Sequence, residues 1–309
     1  ALTMCLKALG IKKGDKVAIS DFSFPATANV VEDVEATPIF IDVDQDTYNM
    51  SVDDLRSKID DKVKAVIFVD ALGSPSGIDK IKSVCEEFGL PLIEDAACAI
   101  GSSVNGVKVG AIADLTCFSF HPRKLLTTGE GGAILTNNQE YATWLDMKAN
   151  HGASGLRGKV FDFIDFGYNY RMSEIQALMG WKQVAKLDGI TERRNIIADQ
   201  YAEALEPLGM KRQKIAEGVY HNIQSLIFTV PETVKRDDLI DYLAEHNIES
   251  TLGTYCLSGT TFYANKYKAV QPTAHWLENH TITLPCYDGV CVNTVSTVIN
   301  SFFSSQIDD

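Results

Sequence analysis

The chain has 309 residues and a net charge of −13 at pH 7, with 45% hydrophobic and 22% charged residues. This acidic balance disfavours non-specific binding to nucleic acid. No apolar run approaches the roughly 18 residues that a membrane helix requires, and no charged segment with a cleavage site opens the sequence. We therefore expect a cytoplasmic protein that binds neither nucleic acid nor membranes. The length exceeds that of one typical core and predicts two domains.

The cysteines predict reduced thiols. Their number is odd, their spacing is scattered, and the sequence contains no CxxC or Cys/His cluster, which argues against disulfides and against a structural metal. We therefore expect no metal. The seven are Cys5, Cys85, Cys98, Cys117, Cys256, Cys286 and Cys291.

The chain begins with a helical pattern. Leu2, Leu6 and Leu9 have helical spacing and Gly10 is a stop signal, but no N-cap residue precedes the first turn. We interpret this segment as the back half of a helix. We therefore expect that the N-terminal segment before it is missing from this numbering, through truncation or disorder.

Short apolar runs then alternate with helical segments. Continuous apolar runs are typical of parallel strands covered on both faces, and their alternation with helices predicts a doubly wound α/β sheet with right-handed crossovers. The predicted strands are 17–20, 38–43, 65–69, 91–94, 115–120 and 133–136. The predicted helices are 27–34, 52–59 after the N-cap Ser51, and 78–88 before Gly89.

A carboxylate ends one of these strands. Asp95 follows the apolar run of PLIEDAACAIG (91–101) and precedes small residues, so it is predicted at the carboxyl end of a parallel strand. In open α/β sheets, ligands bind at that edge. Asp95 is therefore a candidate binding residue.

The segment DLTCFSFHPRKLLTTGEGG (114–132) places a lysine beyond the next strand. Pro122 ends regular pairing because it has no N–H, and Lys124 follows it, ahead of three glycines. Low-dielectric surroundings at a buried strand end favour the neutral amine that imine formation requires. A single loop lysine is more often a solvated surface charge. Together with Asp95, however, Lys124 matches what pyridoxal phosphate (PLP) needs, an acid for the ring nitrogen and an amine for the Schiff base.

The second half of the chain predicts a helix from Asn138 to about Lys148, an aromatic-rich loop over 161–174, and a further helix capped by Ser173. Helical residues continue to about 208, with an interruption near Gly189. A strand at 225–231, a helix at 235–248 and a tail helix after residue 287 predict a smaller α+β domain. We therefore divide the chain into a large domain, 1–190, and a bridging helix with a small C-terminal domain, 191–309.

Three ordered motifs resemble the DegT/StrS-type sugar-nucleotide aminotransferases, a PLP-dependent family of fold type I. They are IEDAA (93–97), CFSF-x-P-x-K-x-x-TTGEGG (117–132) and GYNYRMSEIQA (167–177). The likeness begins at KALGIKKGDKVAIS (7–20) and continues to LPCYDG (284–289), so it covers nearly the whole chain. It implies a fold type I PLP transferase in which Asp95 meets the ring nitrogen and Lys124 holds the aldehyde.

The resemblance also implies roles for four further residues. Phe24 would stack on the pyridine ring, Ser119 would bind the phosphate, and Asn169 would reach the partner's cofactor phosphate across a homodimer interface. By sequence alone, Phe24 is more often loop packing, Ser119 a small strand residue and Asn169 a turn residue. Cys98 is a departure, because the family places Gln or His there to bond the phenolic oxygen and a thiol is a weak donor. A helix N-terminal turn that binds the phosphate would lie in the missing segment.

The implied reaction converts a nucleotide-linked keto sugar to an amino sugar, with glutamate as the amino donor and Lys124 as general acid/base. Two alternatives stay open. One is another fold type I enzyme, such as an amino-acid aminotransferase or lyase, although no arginine is evident for an α-carboxylate. The other is a non-catalytic regulator that keeps the fold.

Overall fold

The computed structural model describes residues 1–305, and the last four residues of the predicted C-terminal domain, 306–309, lie outside the described residues. No helix within residues 1–305 is long and apolar enough to span a membrane. The helices are α1 (Leu2–Ala8), α2 (Ala26–Asp33), α3 (Val52–Lys58), α4 (Ile78–Phe88), α5 (Gln139–Ala149), α6 (Glu174–Val184), α7 (Leu187–Leu205), α8 (Arg236–Glu245), α9 (Thr261–Tyr267), α10 (Pro272–His280) and α11 (Val292–Ser305). The strands are β1 (Lys16–Ser20), β2 (Phe22–Ser23), β3 (Thr37–Ile41), β4 (Val63–Val69), β5 (Leu92–Asp95), β6 (Ser103–Val104), β7 (Val107–Lys108), β8 (Leu115–Ser119), β9 (Gly132–Leu135), β10 (Ala153–Arg157), β11 (Val160–Phe163), β12 (Lys211–Arg212), β13 (Val219–Tyr220), β14 (Leu226–Thr229), β15 (Thr251–Leu252), β16 (Tyr255–Cys256) and β17 (Thr281–Leu284).

A six-stranded sheet forms the centre of the N-terminal part, in the order β3-β1-β4-β5-β8-β9. Its first five strands pair in parallel, and β9 pairs antiparallel with β8. The six predicted strands are the six strands of this sheet, so the predicted mostly parallel α/β architecture is confirmed. Only the bounds of the strands differ, by one or two residues.

Both faces of this sheet are covered, which explains the continuous apolar runs. Ile67 and Ile93 pack with Cys5 of α1 and Leu145 of α5 on one face. Their chain neighbours in β4 and β5 pack on the other face with residues from α3 and α4. Because side chains alternate between faces, a strand buried on both sides needs apolar residues at successive positions.

The predicted helix starts are confirmed by their caps. The Ser51 hydroxyl accepts a hydrogen bond from Asp54 N–H at the start of α3, and Asn138 Oδ1 accepts from Glu140 N–H at the start of α5. Ser173 and Gln176 form a capping box at α6. Each cap satisfies backbone N–H groups that the first helical turn leaves unpaired.

The C-terminal part contains a second, antiparallel sheet in the order β12-β14-β17-β15. Its apolar face packs against α7, α8 and α11 around buried residues such as Phe228 and Ile299. Two short strand pairs outside this sheet join the C-terminal part of the chain to the N-terminal part, β13 with β6 and β16 with β2. The second pair brings Tyr255 beside Ser23, one residue before Phe24.

Two sequence predictions are wrong in detail. Residues 161–163 of the predicted aromatic loop belong to β11, which pairs with β10 in a hairpin, because aromatic and β-branched residues favour an extended chain. The helix interruption lies at residues 185–186, and Gly189 is inside α7.

Ile67 tests how far the central sheet controls stability. Its side chain is fully buried between β4 and the helices. We expect Ile67→Ala to lower the free energy of unfolding by about 2–5 kcal/mol, through lost burial and the cavity left behind. Urea unfolding followed by circular dichroism measures this. The matched control is Ile196→Ala at an exposed position of α7, which should change the value by less than about 0.5 kcal/mol, and equal losses would contradict the assignment of the core.

Candidate active site

The carboxyl ends of neighbouring parallel strands bring together several of the predicted site residues. Asp95 is the last residue of β5 and Ser119 is the last residue of β8, two strands that pair directly. Lys124 lies five residues beyond Ser119 in the loop between β8 and β9. This edge of the sheet is the place where open α/β folds bind ligands.

The Asp95 carboxylate is almost completely buried, with 7% of the residue exposed. Its Oδ2 accepts a hydrogen bond from Thr27 Oγ1 at 2.9 Å, and its Oδ1 accepts one from Ala97 N–H at 3.3 Å. Burial raises the pKa of Asp95, while the two hydrogen bonds and the charge of Lys124 act in the opposite direction. Burial outweighs these contributions, so the pKa of Asp95 is raised overall, and a further cation beside this carboxyl would favour its charged form.

The Lys124 amine lies against the loop that follows Asp95. Its Nζ is 3.1 Å from Sγ of Cys98, three residues after Asp95, and the lysine is half-buried. The loop that carries it is closed by hydrogen bonds from Thr128 N–H to Phe120 O (3.1 Å) and from Phe120 N–H to Gly131 O (2.9 Å). An amine, a thiol and a buried acid therefore occupy one part of the sheet edge.

Ser119 and Phe24 lie near this edge. The Ser119 hydroxyl is half-buried and accepts a hydrogen bond from His121 N–H at 3.4 Å. Phe24 is 65% exposed and lies 6.4 Å from the Tyr255 ring, centroid to centroid. Its carbonyl accepts a hydrogen bond from Thr27 N–H at 3.2 Å, so Phe24 contacts the first turn of the helix that carries the Thr27 partner of Asp95.

Asn169 is not brought to this group within one chain. It is exposed, lies between β11 and α6, and forms an isolated backbone bridge with Asn150. Within residues 1–305 its side chain makes no hydrogen bond.

Two residues of this region were missed by the sequence reasoning. Thr27 carries no pattern that distinguishes it from other residues of α2. Asp70 carries a recognisable pattern, because it follows the apolar strand β4 in the same way that Asp95 ends β5. Asp70 is fully buried, and neither of its carboxyl oxygens has a hydrogen-bond partner within residues 1–305. Burial and the nearby charges of Glu94 and Asp95 raise the pKa of Asp70 well above its usual range.

With this geometry in hand, comparisons with known proteins decide the family. The DegT/DnrJ/EryC1/StrS aminotransferase family profile matches residues 1–303. The chain belongs to this family. It is 34% identical to the GDP-perosamine synthase of Escherichia coli O157:H7, over 99% of this chain and 84% of that protein. The match covers the whole segment that carries Asp95, Lys124 and Asn169.

Solved structures agree with this assignment. A DegT DnrJ EryC1 StrS aminotransferase from Brucella abortus is 31% identical, with a TM-score of 0.89 over 98% of this chain and 83% of that chain. A candidate sugar aminotransferase from Streptococcus pneumoniae in its PLP form is 26% identical, with a TM-score of 0.91 over 100% and 85% of the two chains. The protein is thus a PLP-dependent fold type I aminotransferase that converts nucleotide-linked keto sugars to amino sugars.

The residues present fit PLP. A buried carboxyl with few donors suits a protonated pyridine nitrogen, a half-buried primary amine suits the aldehyde, and an exposed aromatic face suits the flat ring. Asp95, Lys124 and Phe24 supply these three features. The Ser119 hydroxyl is a donor of the kind that a phosphate requires.

The orphaned carboxyl of Asp70 leads to a pH prediction. The folded protein raises the pKa of Asp70 above its ordinary value of 3.8, so the folded state holds this proton more tightly than the unfolded state. The contribution of this proton to the free energy of unfolding is complete below pH 3.8. It is lost as pH rises through the pKa of the folded state. We expect Asp70→Asn to become more stable relative to wild type between pH 4 and 8, by roughly 1–3 kcal/mol, the cost of a buried group without a partner.

Chemical denaturation at several pH values measures this difference. Asp146→Asn, an exposed position of α5, is the matched control and should show a pH dependence like that of wild type. A constant difference between Asp70→Asn and wild type across this range would show that Asp70 is not held protonated.

Proposed function

We propose that Lys124, Asp95, Phe24, Ser119 and Cys98 form the PLP site and that Asn169 of a second copy completes it. The observation that carries this proposal is the approach of Lys124 Nζ to within 3.1 Å of Cys98 Sγ, in the loop that begins at the buried Asp95. An amine and an acid at one sheet edge can meet opposite ends of one pyridine ring.

Each residue of the site then has a defined task. When bound, PLP supplies an electron sink for the electrons released at the donor's α-carbon. Lys124 Nζ would hold the aldehyde of PLP and, as general acid/base, would carry the proton that leaves the donor's α-carbon. Asp95 would hold the ring nitrogen and keep it protonated, and Thr27 Oγ1 orients the carboxylate for this role by donating a hydrogen bond to its Oδ2. Phe24 covers a face of the ring.

The substrates follow from the family and its named relatives. Glutamate is the proposed amino donor, and the GDP-perosamine synthase name of the Escherichia coli relative favours a GDP-linked keto sugar as the acceptor. A panel of keto sugar nucleotides that differ in nucleotide and ketone position, assayed for glutamate-dependent amination, tests both proposals. A PLP-loaded protein that aminates none of them would contradict the proposed acceptor class.

Lys124 and Asp95 are the deciding substitutions. We expect Lys124→Ala to reduce kcat at least about 1,000-fold, because it removes both the covalent attachment and the proton transfer. Asp95→Asn should reduce kcat about 100-fold or more, because a neutral amide does not keep the ring nitrogen protonated. The measurement is steady-state amination of the best substrate in the panel. Lys13→Ala, at an exposed ion pair with Glu35, is the control, and full activity in Lys124→Ala would refute the site.

We also propose that the chain forms a homodimer through an interface patch made of the β10–β11 hairpin and α6. α6 has no buried residue, and Phe161, Ile175 and Trp181 are 67%, 75% and 68% exposed. Leu178 and Met179 of the same helix are also exposed, and an exposed apolar surface of this size marks an interaction site. A second copy is the proposed cover because the patch adjoins the site, since Gln176 Nε2 donates to Glu130 O in the glycine turn after Lys124.

The proposed interface patch predicts that a substitution within it will lower the mass of the protein in solution. We expect wild type to elute at roughly twice the chain mass of 33.9 kDa, because an isologous interface pairs identical patches. Trp181→Glu should shift the protein toward the monomer in light scattering coupled to size exclusion. Phe262→Glu, at a 58% exposed aromatic of α9 outside the patch, should leave the mass unchanged. A monomeric wild type would refute the shared site.

The thiols support a reducing, cytoplasmic location as part of this proposal. All seven cysteines are free, including Cys5 and Cys117, whose sulfur atoms lie 3.3 Å apart without a covalent bond. Such a pair survives reduced in a compartment that keeps thiols reduced.

A further inference from the structure

The segment 221–225, between β13 and β14, is hydrogen-bonded to the loop that carries Lys124. Gln224 Oε1 accepts a hydrogen bond from Leu125 N–H at 2.9 Å, and Gln224 Nε2 donates to Arg123 O at 3.0 Å. These two backbone groups belong to the residues on either side of Lys124. One side-chain amide therefore both accepts from and donates to the backbone around the lysine, as the peptide group of a neighbouring strand would.

A second side-chain amide of the same segment is hydrogen-bonded to the loop after Asp95. Asn222 Nδ2 donates to the carbonyls of Cys98 (2.8 Å) and Ile100 (2.9 Å). Asn222 Oδ1 accepts from Gln224 N–H at 2.9 Å, so the two amides are joined. Asn222 is fully buried. The pair thus connects the loop that bears the amine with the loop that bears the thiol and follows the acid.

The segment is itself anchored from the opposite side. Arg194 of α7 donates from Nε to Ile223 O at 2.6 Å and from Nη2 to Gln224 O at 3.0 Å, and a third nitrogen contacts Cys286 O. Asn195 Nδ2 donates to His221 O at 2.9 Å. The backbone carbonyls therefore face α7, while the side chains of Asn222 and Gln224 face the site.

The lysine loop needs such external support. Residues 121–128 contain no helix or strand, and Pro122 has no N–H to contribute. A lysine side chain also has a flexible stem of four carbons. The position of its amine therefore depends on how firmly the backbone at the lysine is held. Displacement of a reacting group by about 1 Å can cost about 100-fold in rate, and functional groups are held by residues whose own positions are fixed.

We propose that Gln224, supported by Asn222, is a positioning residue that sets the place of the Lys124 amine relative to Asp95. It touches the backbone on both sides of the lysine and acts through that lysine. The inference rests on the proposed function in one respect, that Lys124 is the lysine that captures PLP.

The experiment compares Gln224→Leu, Gln224→Glu and wild type as full-length chains freed of cofactor. Pyridoxal phosphate is added at several pH values, covalent capture is trapped with borohydride over time, and peptide mass spectrometry locates the modified residue. We expect Gln224→Leu to modify Lys124 about 10- to 100-fold more slowly. Gln224→Glu should fall in between, because a carboxylate keeps the acceptor for Leu125 N–H but loses the donor to Arg123 O.

Gln139→Leu is the matched control, the same chemical change at an exposed position in the first turn of α5, and should capture at the wild-type rate. Circular dichroism checks that each variant is folded. If Gln224→Leu does not fold, Gln224→Asn decides, since its shorter side chain cannot span both backbone groups. A folded variant that modifies Lys124 at the wild-type rate overturns the positioning role. A wild type modified elsewhere than Lys124 overturns the proposed PLP site itself.

Discussion

The parallel register of β4, β5 and β8 is the constraint on which the rest of the structure depends. Val69 pairs with Asp95, and Asp95 pairs with Cys117, so β4 and β5 end side by side and β8 continues two residues further, to Ser119. A slip of one residue would turn every side chain of a strand to the opposite face of the sheet, so the residues that pack with α1 and α5 would change places with those that pack with α3 and α4. Hydrophobic burial therefore fixes where Asp95 and Ser119 stand, and the site inherits its precision from the core.

The buried acidic groups at this edge of the sheet lower the stability of the folded protein. Burial raises the pKa of Asp95 and, more strongly, that of Asp70, and Glu94 is shifted in the same direction. Thr27 and the Ala97 N–H offset part of this cost at Asp95. Buried groups that lack partners destabilise the fold, and they persist at sites where a ligand supplies the missing charge.

The amine is held differently from the acid. Lys124 stands in an irregular loop, and the backbone around it is bonded by Gln224, about a hundred residues later in the chain. Asn222 and Arg194 extend this network to the Cys98 loop and to α7. The C-terminal part of the chain therefore contributes the contacts that bind the lysine loop from outside the sheet. The exposed helix α6 is bonded to the glycine turn through Gln176, and this is where we propose that a second copy binds.

The sequence by itself determined the sheet, the helix caps and the strand-end positions of Asp95 and Ser119, because apolar runs, cap residues and proline act over a few neighbouring residues. The family motifs pointed to Lys124, Phe24, Cys98 and Asn169. Only the tertiary structure revealed Thr27 beneath Asp95, the orphaned carboxyl of Asp70 and the grip of Gln224 on the lysine loop. It also turned part of the aromatic loop into the hairpin of β10 and β11. These features depend on contacts between residues far apart in the chain, and local pattern carries no record of which distant side chain will supply a hydrogen bond.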